Sequence, residues 1–130
     1  SYSPRGFAYT AVGSAFETFP ALYLAGGATT VRTAGSVSPF ADLNTRRAIA
    51  DGHLPGPELL LTAPYVDGPQ PTFMVMPGLR SADEVRRFVR HWAGAGLDGF
   101  KAYMGLPPEL LAPLVEEAHA QGAKVTGHLC

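Results

Sequence analysis

Short apolar runs rich in β-branched residues alternate with helical segments along this sequence, and that alternation constrains the fold more than any other feature. Four runs are predicted strands: residues 28–33, 58–63, 99–104 and 123–129. Four segments are predicted helices: residues 11–25, 42–50, 81–94 and 107–121. Strands that alternate with helices through short connections are typical of a parallel α/β sheet. The sheet is expected to be either open and doubly wound or part of a (β/α)₈ barrel.

Local signals define several helix ends. Ser81 and Glu84 have the spacing of a capping box, and an apolar stripe of Val85, Phe88, Val89 and Trp92 follows them. Asp42 is the predicted cap of the helix over 42–50. The first helix is expected to break near Pro20. On the helix over 107–121, one face is predicted to be apolar, with Leu110, Leu111, Leu114, Val115 and Ala118.

A glycine motif beside the third strand has a structural explanation. Residues 94–99 read Gly-Ala-Gly-Leu-Asp-Gly, which matches G-x-G-x-x-G. In a dinucleotide-binding site this motif follows a strand and opens a helix. Here the helix comes first and the strand follows, so the glycines are predicted to form a helix stop and a tight turn. A nicotinamide cofactor is not supported.

Composition excludes several classes of function. The formal net charge is −1 and no basic cluster stands out, so nucleic acid is not an expected partner. No apolar run has the length of a membrane span, and no membrane partner is expected. The single cysteine, Cys130, excludes an internal disulfide and a cysteine zinc ribbon. The expected partner is a small-molecule substrate, and homo-oligomers stay open.

The start of the sequence says little about cellular location. Residues 1–6 read Ser-Tyr-Ser-Pro-Arg-Gly, without an initiator methionine and without a following apolar h-region. We therefore expect a chain cut from something longer, and the location stays open between cytoplasm and periplasm.

A lysine interrupts the apolar run of the third predicted strand. Lys101 lies in Gly-Phe-Lys-Ala-Tyr-Met, residues 99–104. Lysine is among the residues least often fully buried unless paired, because the charged form is costly to desolvate. Lys101 is therefore either an edge residue that reaches solvent or a chemical group held inside for a purpose.

His128 is the natural companion of Lys101. The two lie one strand–helix–strand unit apart, and side chains alternate along a strand, so Lys101 shares a face with Tyr103 and His128 shares one with Thr126. Neighbouring parallel strands lie about 4.8 Å apart, so both groups could meet one ligand. From spacing alone, a satisfied core histidine with an edge lysine is at least as good an explanation.

Other polar residues have weaker claims to a function. Three histidines in turns or on polar helix faces are expected to be solvated: His53, His91 and His119. Cys130 has no visible activating partner. Arg32 ends the first predicted strand and could meet an anion. Tyr65 and Asp67, in the long loop after the second strand, could reach a substrate, although loop packing is the simpler explanation for both.

Four segments in order resemble the amidohydrolase superfamily, and the nearest branch resembles imidazolonepropionase-like and prolidase-like hydrolases. The segments lie at residues 26–33, 46–57, 99–104 and 124–129. The resemblance implies a (β/α)₈ barrel with one or two divalent metal ions, zinc by expectation, at the carboxyl ends of its strands. Residues 1–130 would then be about half of the barrel, running from after its first strand to its fifth, because a barrel typically needs ~250 residues.

The resemblance also assigns roles to residues. It places Lys101 where the family has a carboxylated lysine that bridges two metals, and His128 where it has a metal-ligand histidine. As catalytic residues they would serve a hydrolase of amide-type bonds through metal-activated water. Arg32, Tyr65 and Tyr103 are candidate substrate contacts. The family's His-x-His pair, sixth-strand histidine and eighth-strand aspartate do not occur in this sequence.

Two other readings stay open. A buried lysine in a barrel strand can form a Schiff base with a carbonyl substrate, as in aldolases, without a metal. The chain could also be a non-catalytic barrel piece, whose open sheet edges would favour association. In either enzyme reading we expect the isolated chain to be inactive.

Overall fold

The computed structural model describes residues 18–73 and 76–128 of the chain. Its helices and strands alternate along the sequence. In chain order they are α1 (Phe19–Ala25), β1 (Thr30–Arg32), α2 (Pro39–Ala50), β2 (Glu58–Leu60), α3 (Ala82–Gly94), β3 (Gly99–Ala102), α4 (Pro108–Ala120) and β4 (Lys124–Gly127). The predicted α/β class is confirmed. Residues before Thr18, where the first predicted helix was expected to begin, lie outside the described part.

All the strands run parallel and follow one another in sequence order. β1 pairs with β2, with Val31 opposite Leu59, and β3 pairs with β4, with Lys101 opposite Thr126. The segment after β2 joins the two pairs through parallel bridges to β3. The order β1-β2-β3-β4 with a helix before each strand is the arrangement that an arc of a barrel requires.

The segment that joins β2 to β3 contains one extra residue. Thr62 pairs with Gly99 and Val66 with Ala102, so four steps on one strand oppose three on the other. Pro64 lies within this stretch, where its missing N–H costs no ladder hydrogen bond to β3. The Val66 N–H donates to the Lys101 carbonyl at 2.8 Å, which restores the pairing. This bulge sets the direction of Tyr65.

The apolar core lies between one face of the sheet and the helices. Its main members come from the segment after β2, from β3, and from helices α3 and α4. They include Leu61, Ala63, Val66, Val85, Val89, Phe100, Leu110, Leu114 and Ala118. The predicted stripe on α3 is confirmed, because Val85 and Val89 are buried and Phe88 and Trp92 pack against the core.

The predicted apolar face of α4 is only partly correct. Leu110, Leu114 and Ala118 are buried, but Leu111 remains 44% exposed. Leu111 and Val115 line an open groove that also reaches Val125 on β4. The face points partly beyond the core because among the described residues β4 is an outer strand of the sheet.

Helix starts follow the sequence signals with one correction. Ser81 caps α3, and its hydroxyl accepts from the Glu84 N–H at 3.2 Å, as predicted. Asp42 does not cap α2, which begins three residues earlier because Pro39 has a backbone suited to a first helical turn. Pro20 lies in the first turn of α1, and the part of the predicted helix before it lies outside the described residues.

Two ion pairs connect elements distant in sequence. Arg90 on α3 donates two hydrogen bonds to Glu117 on α4, from Nε to Oε1 at 2.8 Å and from Nη2 to Oε2 at 2.9 Å. The Arg90 guanidinium, helped by an amide hydrogen bond from Gln121, holds the pKa of Glu117 below its ordinary value. Arg46 on α2 donates to Asp98, whose same oxygen accepts from the Leu61 N–H at 2.6 Å.

The glycine motif is a helix stop and turn, as predicted. Gly94 ends α3, and Gly96 has φ +94°, a left-handed conformation that glycine adopts without strain. β3 then begins at Gly99. No helix in the described part of the chain is long and apolar enough to cross a membrane.

Candidate active site

Lys101 lies on the face of β3 opposite the core. Phe100 and Ala102 on either side of it are 1% and 8% exposed and belong to the core. Alternation therefore directs Lys101 and Tyr103 away from the helices, and both are half-buried. None of the ion pairs among residues 18–73 and 76–128 involves Lys101. Lys101 is therefore on the non-core face without a carboxylate partner in this part of the chain.

The register of β3 and β4 brings His128 to the same face. Lys101 is opposite Thr126, and Ala102 is opposite Gly127. His128 is two residues beyond Thr126, so it shares the face of Thr126 and Lys101 and lies next to the carboxyl end of β4. The Tyr103 ring contacts the His128 imidazole, with ring centroids 5.0 Å apart and planes at 79°. The structure therefore brings the predicted pair onto adjacent strands.

An aromatic cluster of Tyr65, Phe73, Tyr103 and His128 forms at these strand ends. Tyr65 meets Tyr103 edge to face at 5.2 Å between centroids, and Phe73 lies 6.2 Å from Tyr103. Gly35 lies beneath the Tyr65 ring, where a Cβ atom would overlap it. Residues from after β1, after β2, after β3 and after β4 thus meet in one place. Two of the predicted substrate contacts, Tyr65 and Tyr103, belong to this cluster.

Asp67 connects the loop after β2 with the turn after β3. It is fully buried, and its carboxylate accepts from the Gly68 N–H at 2.9 Å and the Thr72 N–H at 2.7 Å. Its backbone carbonyl accepts from the Leu79 N–H at 3.1 Å. The carboxylate packs against Gly105, in the turn after β3, with no room for a side chain there. These contacts favour loop packing for Asp67, the simpler of the two explanations that the sequence left for it.

Arg32 lies outside the aromatic cluster. It pairs with Leu60 in β1–β2 and lines a separate cleft of about 210 Å³ together with Thr62, Lys124 and Thr126. Lys124 begins β4, so this cleft lies towards the amino ends of β3 and β4, away from the strand ends that carry Tyr103 and His128. A role in substrate contact stays a prediction for Arg32.

The remaining histidines lie at the surface, and His119 lines the groove beside α4. His53, His91 and His119 are exposed, as predicted. Cys130 lies outside the described residues. Sequence reasoning overlooked Phe73, which gave no signal beyond its place in a Pro- and Gly-rich loop, and the bulge that aims Tyr65.

Lys101 and His128 are of suitable chemical type for metal ligands, but two ligands are too few for a metal centre. An imidazole and a carboxylated lysine are suitable ligands for Zn²⁺, which usually takes three or four protein ligands. Within residues 18–73 and 76–128, no group of three or more His, Cys, Asp or Glu side chains could hold a metal ion. Any centre that uses this pair needs further ligands.

Solved structures of similar fold carry amidohydrolase or prolidase names. A bottromycin amidohydrolase matches 85% of this chain with 27% sequence identity and a TM-score of 0.75. A protein from Bifidobacterium longum, provisionally assigned as a prolidase, matches 92% with 25% identity and a TM-score of 0.71. In fold and in sequence, the chain is similar to members of the amidohydrolase superfamily. A further amidohydrolase has the same fold, with 24% identity over 86% of this chain and a TM-score of 0.67.

The match extends over only a part of each relative. This chain spans 24%, 32% and 35% of the lengths of those three proteins. No protein-family model matches the sequence. No curated protein is similar to it in sequence either.

Proposed function

We propose that this chain forms part of the catalytic barrel of a metal-dependent hydrolase that cleaves amide-type carbon–nitrogen bonds. In this proposal β1 to β4 are the second to fifth strands of a (β/α)₈ barrel, and residues 1–130 belong to that one domain. The amidohydrolase names of the structural relatives support the reaction class. The short span of the match supports the view that the remaining strands lie elsewhere in a longer polypeptide.

The observation that carries the proposal is the placement of Lys101 and His128. The β3–β4 register puts them on adjacent parallel strands, on the face turned away from the helices. In a closed barrel that face is the interior, and active sites of such barrels lie at the carboxyl ends of the strands. Lys101 and His128 occupy that end of their strands.

The open groove beside α4 is a second support for a larger barrel. Leu111, Val115 and Val125 line it, on the side of β4 that lacks a described neighbour. In a barrel the following strand and helix would cover such a surface and remove its apolar area from water. The isolated chain leaves it exposed, so we expect the chain alone to be inactive and prone to associate.

Lys101 would enter the site as a carbamate. Its neutral amine nitrogen forms a bond to the carbon of CO₂ and releases one proton, which gives a singly negative two-oxygen group. That group and the neutral imidazole of His128 are the two ligands that this chain would contribute. A bound divalent metal, zinc in this proposal, supplies polarisation of the substrate carbonyl and activation of water.

The residues around the pair would shape the substrate site. Tyr65 and Tyr103 lie at the strand ends beside His128 and are proposed to contact a small-molecule substrate. Arg32 is proposed to act only if a substrate extends into the separate cleft it lines.

The test is metal content and native intact mass of the full-length protein, grown with bicarbonate, beside two alanine variants. The chain contains two lysines, which provide a matched pair: Lys101→Ala removes the proposed ligand, and Lys124→Ala removes an exposed lysine at the start of β4. We expect one or two divalent metal ions per wild-type chain and a mass increment of one CO₂. Both should be lost in Lys101→Ala and kept in Lys124→Ala.

Two outcomes would contradict the proposal. Lys101→Ala with wild-type metal content and amide hydrolysis would remove Lys101 from the site. No metal in any of the proteins would favour the Schiff-base alternative, which borohydride trapping of a carbonyl substrate on Lys101 would then test.

A further inference from the structure

Tyr103 contacts three other rings of the aromatic cluster among the described residues. Its ring meets Tyr65 at 73°, Phe73 at 55° and His128 at 79°. The Tyr103 N–H donates to the Val66 carbonyl at 2.8 Å, so its backbone is anchored by the strand pairing. Tyr65 and Phe73 therefore pack against the Tyr103 ring, and the hydrogen bond to Val66 fixes its backbone.

His128 has fewer constraints of its own. It is exposed and follows the last residue of β4. Among residues 18–73 and 76–128, its imidazole makes a ring contact with Tyr103 and no hydrogen bond to any of them. Metal-ligating histidines are usually oriented by a hydrogen bond from the second ring nitrogen. In the described part of the chain, the T-shaped contact with the Tyr103 ring is the contact available to orient this imidazole.

We propose that Tyr103 is a positioning residue that fixes the rotamer of His128 and so raises the metal affinity of the site. This inference rests on the proposed function, because it assumes that His128 is a ligand. The ring supplies the effect by packing, since edge-to-face pairs restrict the imidazole to few orientations. The phenol hydroxyl is not required.

Three variants of the full-length protein separate this role from a structural one. Tyr103→Phe keeps the ring, Tyr103→Leu removes it at similar volume, and His128→Gln removes the proposed ligand. Zn²⁺ affinity is measured by competition with a chromophoric chelator, the Co²⁺ form gives a ligand-field spectrum, and urea midpoints report stability.

We expect Tyr103→Leu to weaken Zn²⁺ binding by about 2- to 10-fold, the range that one edge-to-face ring pair supplies. The Co²⁺ spectrum should change with it. Tyr103→Phe should retain both the affinity and the spectrum. In the His128→Gln background, Tyr103→Leu should lower stability as before but leave the remaining Zn²⁺ affinity unchanged, because the coupling partner is gone.

The outcomes distinguish this inference from the proposed function. If the wild type binds zinc and Tyr103→Leu binds it equally well, or weakens it equally in the His128→Gln background, Tyr103 is only structural and the inference falls alone. Loss of affinity in Tyr103→Phe would also overturn it, because the hydroxyl would then be responsible. If the wild type binds no metal, both fall together.

Discussion

Asp67 provides the sharpest test of how the loops at the strand ends are held. The substitution Asp67→Asn keeps the shape of the side chain and changes one oxygen to an amide nitrogen. In the native structure both carboxylate oxygens accept, one from the Gly68 N–H and the other from the Thr72 N–H. The Asn amide has one acceptor oxygen, so its NH₂ group must face one of the two backbone donors.

The magnitude follows from that loss. A hydrogen bond to a buried charged group contributes about 1.5–3 kcal/mol, and a buried donor without an acceptor costs about as much. Asp67 has no exposed surface, so solvent cannot replace the missing acceptor. We expect Asp67→Asn to lower the free energy of unfolding by about 2.5 kcal/mol.

Urea denaturation followed by tryptophan fluorescence measures the change, since Trp92 packs against the core. With a denaturant slope of about 1.5 kcal/mol/M, the midpoint should fall by roughly 1.7 M at unchanged slope. Asp51→Asn, at an exposed aspartate after α2, is the matched control and should leave the midpoint nearly unchanged. An Asp67→Asn midpoint within about 0.3 M of wild type would refute the reasoning.

Two further predictions concern the packing of α3 on α4. Leu114→Ala removes a fully buried side chain and should cost about 3 kcal/mol in urea unfolding, whereas Leu111→Ala on the exposed side of the helix should cost far less. Glu117→Gln should destabilise at pH 7. Because Arg90 lowers the folded-state pKa of Glu117 below its ordinary 4.5, the wild-type advantage should be complete above pH 4.5. The stability difference between wild type and Glu117→Gln should disappear as the pH falls through the lowered pKa of Glu117. A stability difference that stays the same at low pH would contradict this prediction. So would the same pH dependence in Glu116→Gln, at the exposed neighbouring glutamate.

Particular residues show how far the sequence alone could predict the site. The period-two pattern around Lys101 was enough to place Tyr103 on the same face, and the structure puts Phe100 and Ala102, on the other face, in the core. The one-unit spacing to His128 was enough to place it on the next parallel strand. These inferences hold because alternation and helix-linked parallel pairing are local rules of the backbone.

Other features depended on contacts between distant segments. Asp42 is a residue type that often caps helices, yet it lies within the first turn of α2. There its carboxylate accepts a hydrogen bond from the Ser36 hydroxyl at 2.6 Å, and burial raises its pKa. Leu111 has the periodicity of a core residue, yet its side of α4 faces a groove. A sequence pattern states which residues can share a face, but not which neighbour that face will meet.

The sequence by itself determined the alternation of strands and helices, the parallel class, the exposure of His53, His91 and His119, and the placement of Lys101 and His128 on one face of neighbouring strands. Only the tertiary structure decided that a bulge at Pro64 turns Tyr65 onto Gly35, that the Tyr103 ring contacts the His128 ring, and that Asp67 joins two loops. The physical reason is the range of the interactions. Backbone sterics and burial periodicity act over a few residues, whereas ring contacts and buried carboxylates depend on which strand ends the folded chain brings together.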